Sequence, residues 1–289
     1  MATTNRFYIL VVSVISGVAA IFHVLSLSTE YWVSGRIFEL HSDNPKSSIN
    51  YGLFKGNYAR DLSTYEIYEV QMTCSFKNNI CILLCGDEDY KKETLNKLIS
   101  NNLRGADVDF IFPCYSTSSY SQDFLVSKKN IKSSNNNYNN VQSKYFINAA
   151  VWLCTVICLA IATFLGLTSS ALSFYNIIGD GTQFYLSVGS LFFYNGLAFV
   201  FTLLYIIFWG TLYNLTIFHN VGLPDTLIGL MTSDRNAFLG YSYWISFIPL
   251  VLYGSNIGIL YYRVYLNGKD SKYKTVYLED PTNQNIYLN

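Results

Sequence analysis

Charge is what this chain withholds. Four long stretches, Phe7 to Thr29, Tyr145 to Gly179, Gly181 to Pro224 and Asn236 to Tyr262, contain no Lys, Arg, Asp or Glu. Only 13% of the 289 residues are charged and 51% are hydrophobic, whereas a soluble domain carries roughly 25% charged residues. A charge at the bilayer centre costs several kcal/mol, and a helix needs ~20 apolar residues to cross hydrocarbon. The four blocks therefore predict four membrane-spanning helices. The alternating ten-residue segments of a transmembrane barrel are missing. The expected fold class is an all-α membrane protein, a four-transmembrane-helix bundle, with a large, β-containing extracellular first loop.

Other absences narrow the function. There is no Gly-rich phosphate loop, no His pair at metal spacing and no Ser/His/Asp set with a local signature. No catalytic, cofactor-binding or metal residue is assigned, and the chain reads as a non-enzyme without a cofactor. Asp87-Glu88-Asp89 lacks the spaced oxygen ligands of a calcium loop and reads as a solvated face. The four uncharged blocks carry no Lys, Arg, Asp or Glu, which removes the usual machinery of a proton relay or ion-coupled carrier. A net charge of zero gives no pull toward nucleic acid, because the charges are segregated. Thirteen of the 19 basic and 13 of the 19 acidic residues lie between Glu30 and Lys144.

The order expected from these blocks is a cytosolic N-terminus (1–6), a first span (7–29), a large extracellular loop (30–144), a second span (145–175) and a cytosolic linker (176–182). A third span (183–210), a second extracellular loop (211–240), a fourth span (241–263) and a cytosolic tail (264–289) follow. Arg6 precedes the first span, while Arg263, Lys269, Lys272 and Lys274 follow the fourth. Basic residues at span ends prefer the cytoplasm, which puts both termini inside. A cleaved signal peptide, with Arg6 as its flank and Val18-Ala19-Ala20 as its site, is the weaker reading. The apolar run continues past that site to Leu27 and meets Tyr31-Trp32, an aromatic pair suited to the interface.

Within the large loop, 32–40 and 49–54 read as two strands around the turn formers Ser42 to Pro45. Leu95, Leu98, Ile99 and Leu103 recur at helical spacing within 89–103, and Gly105 would stop that helix. The Ser/Asn/Lys-rich stretch 116–143 has too little apolar surface to offset its ordering entropy and reads as a disordered insert.

Cys74, Cys81, Cys85 and Cys114 share this loop and are the disulfide candidates, in any of three connectivities. A zinc site fits worse, since the spacings are irregular and His41 is the one nearby histidine. Cys154 and Cys158 read as packing residues of span two. Asn214-Leu215-Thr216 is the only glycosylation sequon, close to the end of span three. His23, Asn195, His219 and Asn256 are polar residues in or beside spans, where such groups more often bond between helices than line a pathway. Ser13–Gly17 and Gly254–Gly258 are small-residue pairs that favour close helix approach. Tyr273 to Val276 fits a tyrosine-based sorting signal, a short match, and the terminal Asn289 does not suit PDZ-type capture.

Four spans, a large first loop, Trp32 after span one and Gly52-Leu53-Phe54 some twenty residues on resemble the claudin superfamily. The string Tyr51-Gly52-Leu53-Phe54-Lys55-Gly56 is most similar to the clarin branch. Phe110-Ile111-Phe112-Pro113, Tyr175-Asn176 with Gly179, and Ser242-Tyr243-Trp244 are also similar to clarins. A cysteine that clarins carry shortly after the first motif is replaced here by Arg60-Asp61, so the family's disulfide pattern does not carry over by position. The resemblance implies a divergent, non-enzymatic plasma-membrane protein that organises membrane domains or surface contacts in sensory-cell or synaptic membranes. Its partners would be the lipid bilayer and membrane or cell-surface proteins linked to the cytoskeleton; homo-oligomerisation stays open. An auxiliary subunit of a channel or receptor is the alternative, and a transporter is further off. Trp32 and Gly52-Leu53-Phe54 are expected in one small sheet at the membrane end of the helices, where truncating Trp32 or Phe54 costs about 3–5 kcal/mol.

Overall fold

A computed structural model describes residues 2–39, 45–61, 65–100, 145–178, 188–229 and 231–278. His41, Cys114, the 116–143 segment, Phe110 to Pro113 and the linker residues 179–182 lie outside the described residues.

Four helices are long and apolar enough to cross a membrane: Phe7–Ser28, Ala149–Ile177, Gly189–Ile217 and Tyr241–Leu266. They belong to α1 (Ala2–Ser28), α3 (Ala149–Ile178), α4 (Val188–Leu212) with a following π turn (Tyr213–Ile217), and the pair α6 (Tyr241–Ile245) and α7 (Phe247–Leu278). Unpaired backbone groups are costly in hydrocarbon, so the helix is the form such apolar runs take there. Large apolar side chains such as Phe164, Phe193 and Val251 stand exposed along them, as lipid contact requires. The chain is therefore membrane-embedded. The last helix continues past its apolar stretch to Leu278, and Arg263 lies inside that stretch.

The all-α expectation is corrected by the sheet. Among the described residues eight strands join in one antiparallel sheet, in the order β6-β5-β4-β3-β2-β1-β7, with β8 also on β1. They are β1 (Val33–Glu39), β2 (Pro45–Tyr51), β3 (Lys55–Asp61), β4 (Tyr65–Ser75), β5 (Ile80–Leu84), β6 (Ile147–Asn148), β7 (Met231–Thr232) and β8 (Ala237–Leu239). The fold is mixed α and β. Alternation accounts for the first strand, whose buried Val33, Gly35 and Ile37 face inward between exposed or half-buried neighbours. One face of the β5 run Ile80–Leu84 is covered by α2 (Glu88–Ile99): Leu95 and Leu98 pack with Ile82, Leu84, Phe146 and Leu227. Asp225 lies buried in the short helix α5 (Pro224–Leu227) beside this core.

The chain divides into two compact units. One comprises Met1–His23, Ala160–Thr202 and Ile248–Asn289; the other comprises Val24–Leu159 and Leu203–Phe247. The first is all helix segments among the described residues. The second holds the whole sheet, α2, α5 and the adjoining helix ends.

Candidate functional site

In the sheet-bearing unit, Trp32 sits between the end of α1 and the first residue of β1 and is fully buried. Its indole N–H donates to the Ser26 carbonyl at 2.7 Å, which removes the cost of burying that donor. The ring stacks edge-on against Trp209 at 5.2 Å between centroids, Tyr205 at 6.3 Å and Tyr243 at 6.4 Å. Its backbone is also held. The Trp32 N–H donates to the Tyr51 carbonyl, and its carbonyl accepts from Gly240, each near 3 Å. One residue thus ties α1, α4 and α6 to both loops.

The second half of the motif serves as the other clamp. A Cβ on Gly52 would overlap the Thr29 carbonyl, and one on Gly56 would overlap Asn50 and Tyr51; only glycine lets the backbones approach so closely. Leu53 is buried and its carbonyl accepts the Trp152 indole N–H at 2.8 Å, which fastens the β2–β3 turn to the first turn of α3. Phe54 stands edge-on to Trp152, with centroids 6.1 Å apart. It is 45% exposed, so the expected equivalence of Trp32 and Phe54 fails: Gly52 faces inward and the turn swings Phe54 outward. Tyr51 is fully buried with its hydroxyl unpartnered, and burial pushes that phenol's pKa well above the usual range.

Cys74 and Cys81 face each other across β4 and β5 and form a disulfide. Cys85 is also disulfide-bonded. Cys154 is exposed and Cys158 buried, both as free thiols. Asn214 lies in the π turn that prolongs α4, its side-chain amide donating to the Gly210 carbonyl at 2.8 Å. Among the described residues no cluster of His, Cys, Asp or Glu could hold a metal ion.

The polar residues of the spans converge in the helical unit. Asn256 of α7 donates to Ser16 of α1 and to Asn195 of α4, both at 2.9 Å. Ser16 donates to Asn195 Oδ1 at 3.1 Å, and Asn195 Nδ2 donates to Ser169 of α3 at 2.7 Å. All four side chains are fully buried, one from each spanning helix. Sequence reading had flagged the two asparagines but neither serine, since serine is unremarkable in an apolar run. His23 Nε2 lies 3.2 Å from Thr202 Oγ1 and its ring stacks on Tyr253. Ser13 and Ser170 each donate to the other's carbonyl at 3.0 Å, and Gly17 faces Ser170. The Ser13–Gly17 pair therefore marks a close approach, while Gly258 has open space beside it. His219 is outside this network. It pairs with Asp234 at 2.9 Å on an exposed surface of the other unit.

No protein-family model matches the chain, and no curated protein matches it in sequence.

Proposed function

We propose that this is a non-enzymatic, clarin-like protein of the plasma membrane, with both termini cytosolic and both inter-span loops outside. Its sheet is the recognition surface through which it organises membrane or cell-surface protein partners. One observation carries this reading: β1 of the first loop pairs with β7 and β8 of the second, so the two loops form a single sheet. Trp32 and Gly52–Phe54 fasten that sheet to helix ends, and they are the residues on which the resemblance to clarins rests. A platform fixed at several helix ends presents side chains in a constant arrangement, which recognition needs. On the sheet, Ile67 of β4 is 59% exposed, an apolar group available to a partner.

In this orientation Asn214 lies against the membrane surface and is expected to stay unglycosylated.

Tags before Arg6 and after Leu278 should react only in permeabilised cells, while a tag at Asn136 should react in intact ones. Affinity capture in mild detergent should then retain protein partners, and Ile67→Asp should reduce that capture without lowering surface delivery. An externally reactive N-terminal tag would overturn the orientation; capture unaffected by Ile67→Asp would overturn the role of the sheet. A single stoichiometric channel or receptor subunit in the captured material would instead select the auxiliary-subunit reading.

A further inference from the structure

Arg263 lies three residues before the end of the fourth spanning stretch, which closes at Leu266. It is 9% exposed, and its Nε and Nη1 groups are buried without a hydrogen-bond partner. One turn earlier on α7, Ile259 and Leu260 pack with Ile9, Val12, Leu172 and Leu191; spacings of three and four put Arg263 on that same inward face. The α3 helix brings two more donors to this level. Ser173 and Asn176 lie between Leu172 and Ile177, both of which join the same cluster. Ser173 Oγ and Asn176 Nδ2 are again buried without a partner.

Three side chains with buried, unpartnered polar atoms thus lie at one end of the helical unit, and one of them, Arg263, is cationic. The unit's spanning segments (7–23, 160–178, 188–202 and 248–266) contain no Asp or Glu. A buried guanidinium without a counter-charge costs several kcal/mol. The group that relieves this must be an anion able to accept from several donors at once.

We propose that Arg263, Ser173 and Asn176 bind a phosphate oxyanion, that of an anionic phospholipid headgroup at this end of the helices. Three residues of helix are about 4.5 Å, so the guanidinium is within reach of the level at which the hydrocarbon gives way to headgroups. The guanidinium fork matches two phosphate oxygens. The serine hydroxyl and asparagine amide donate to the remaining lone pairs, and the surrounding Ile and Leu side chains suit acyl chains. The inference requires only that the four helices cross a membrane.

The test uses the purified full-length chain in three settings: phosphatidylcholine nanodiscs, nanodiscs also containing phosphatidylserine, and detergent micelles with inorganic phosphate. Readouts are the thermal unfolding midpoint and the phospholipid retained in native mass spectrometry. Phosphatidylserine should raise the midpoint of the unaltered protein and be retained. Arg263→Gln should abolish the rise and lower retention by about tenfold or more, as expected for losing charge-assisted hydrogen bonds. Arg263→Lys keeps the charge without the fork and should retain an intermediate amount. Asn176→Ala should lose less, and Lys269→Gln, in the nearby basic flank, should behave as the unaltered protein. Equal loss in Lys269→Gln and Arg263→Gln would mean diffuse attraction to an anionic surface and would overturn the site. If Arg263→Gln fails to fold, unaltered binding by both Arg263→Lys and Asn176→Ala would do the same. A full midpoint rise from inorganic phosphate, with nothing added by phosphatidylserine, would overturn the assignment to lipid.

Discussion

Each of the two compact units has its own internal chemistry of packing. In the helical unit the helices meet through small polar side chains: the Ser16–Ser169–Asn195–Asn256 network, the Ser13–Ser170 exchange and the His23–Thr202 contact. In the sheet-bearing unit small polar contacts such as Ser26–Ser246 and Thr29–Ser242 remain, but the junction is dominated by four large aromatics, Trp32, Tyr205, Trp209 and Tyr243. Lipid tails are as apolar as leucine, so between spans greasy burial selects no partner and hydrogen bonds with close approach do the selecting. Where the chain leaves hydrocarbon, water is the alternative environment and burying an indole is strongly favourable. The same sequence uses each interaction where its surroundings make it count.

Substitutions should separate the two chemistries. Trp32→Ala should be the most damaging, about 3–5 kcal/mol for a fully buried aromatic, seen as loss of surface protein and of a cooperative thermal transition. Gly52→Ala adds a single methyl where the Thr29 carbonyl already lies, and a cost of about 1–3 kcal/mol is expected for such overpacking. Asn195→Ala removes bonds to three helices, yet membrane hydrogen bonds average only ~0.6 kcal/mol, so about 1–2 kcal/mol should be lost in detergent unfolding. Adding Asn256→Ala should cost less than the sum of the two singles, because they share partners. A loss from Asn195→Ala as large as that from Trp32→Ala would break the contrast. Phe54→Ala should cost about 1 kcal/mol, chiefly its edge-on pairing with Trp152. Tyr51→Phe should be the mildest change, neutral or stabilising, since it deletes a buried hydroxyl that has no partner.

What the sequence disclosed followed from local pattern. The four spans were legible because charge avoidance is a run-length signal, and the β1–β2 hairpin because Trp32 to Leu40 and Ile49 to Phe54 flank turn formers. Helix α2 showed its periodicity through Leu95, Leu98 and Ile99. The rest depends on partners far along the chain. Ile147 and Asn148 look like the start of a span, and only pairing with Cys81 and Ile80 makes them a strand. Strands β7 and β8 are two and three residues long, too short to alternate. The convergence of Ser16, Ser169, Asn195 and Asn256 depends on how each helix is rotated about its axis, which no single segment encodes. Arg263 reads as a basic flank, and nothing in its own segment announces that it is buried. Phe54 read as buried because alternation was extended through a turn that breaks it.

The sheet's ends carry a further lesson. It is an eight-stranded array whose outermost members, β6 on one side and β7 on the other, are only two residues each. Next to β6, the part of the β5 rim that β6 does not reach is met by Gly222, whose carbonyl accepts the Leu83 N–H at 2.9 Å. A long open edge invites another chain to add itself as a strand, the route to both β-augmentation and runaway polymerisation. Among the described residues the sheet is blunted in this way at both ends, and neither outermost strand offers a long edge to a further chain.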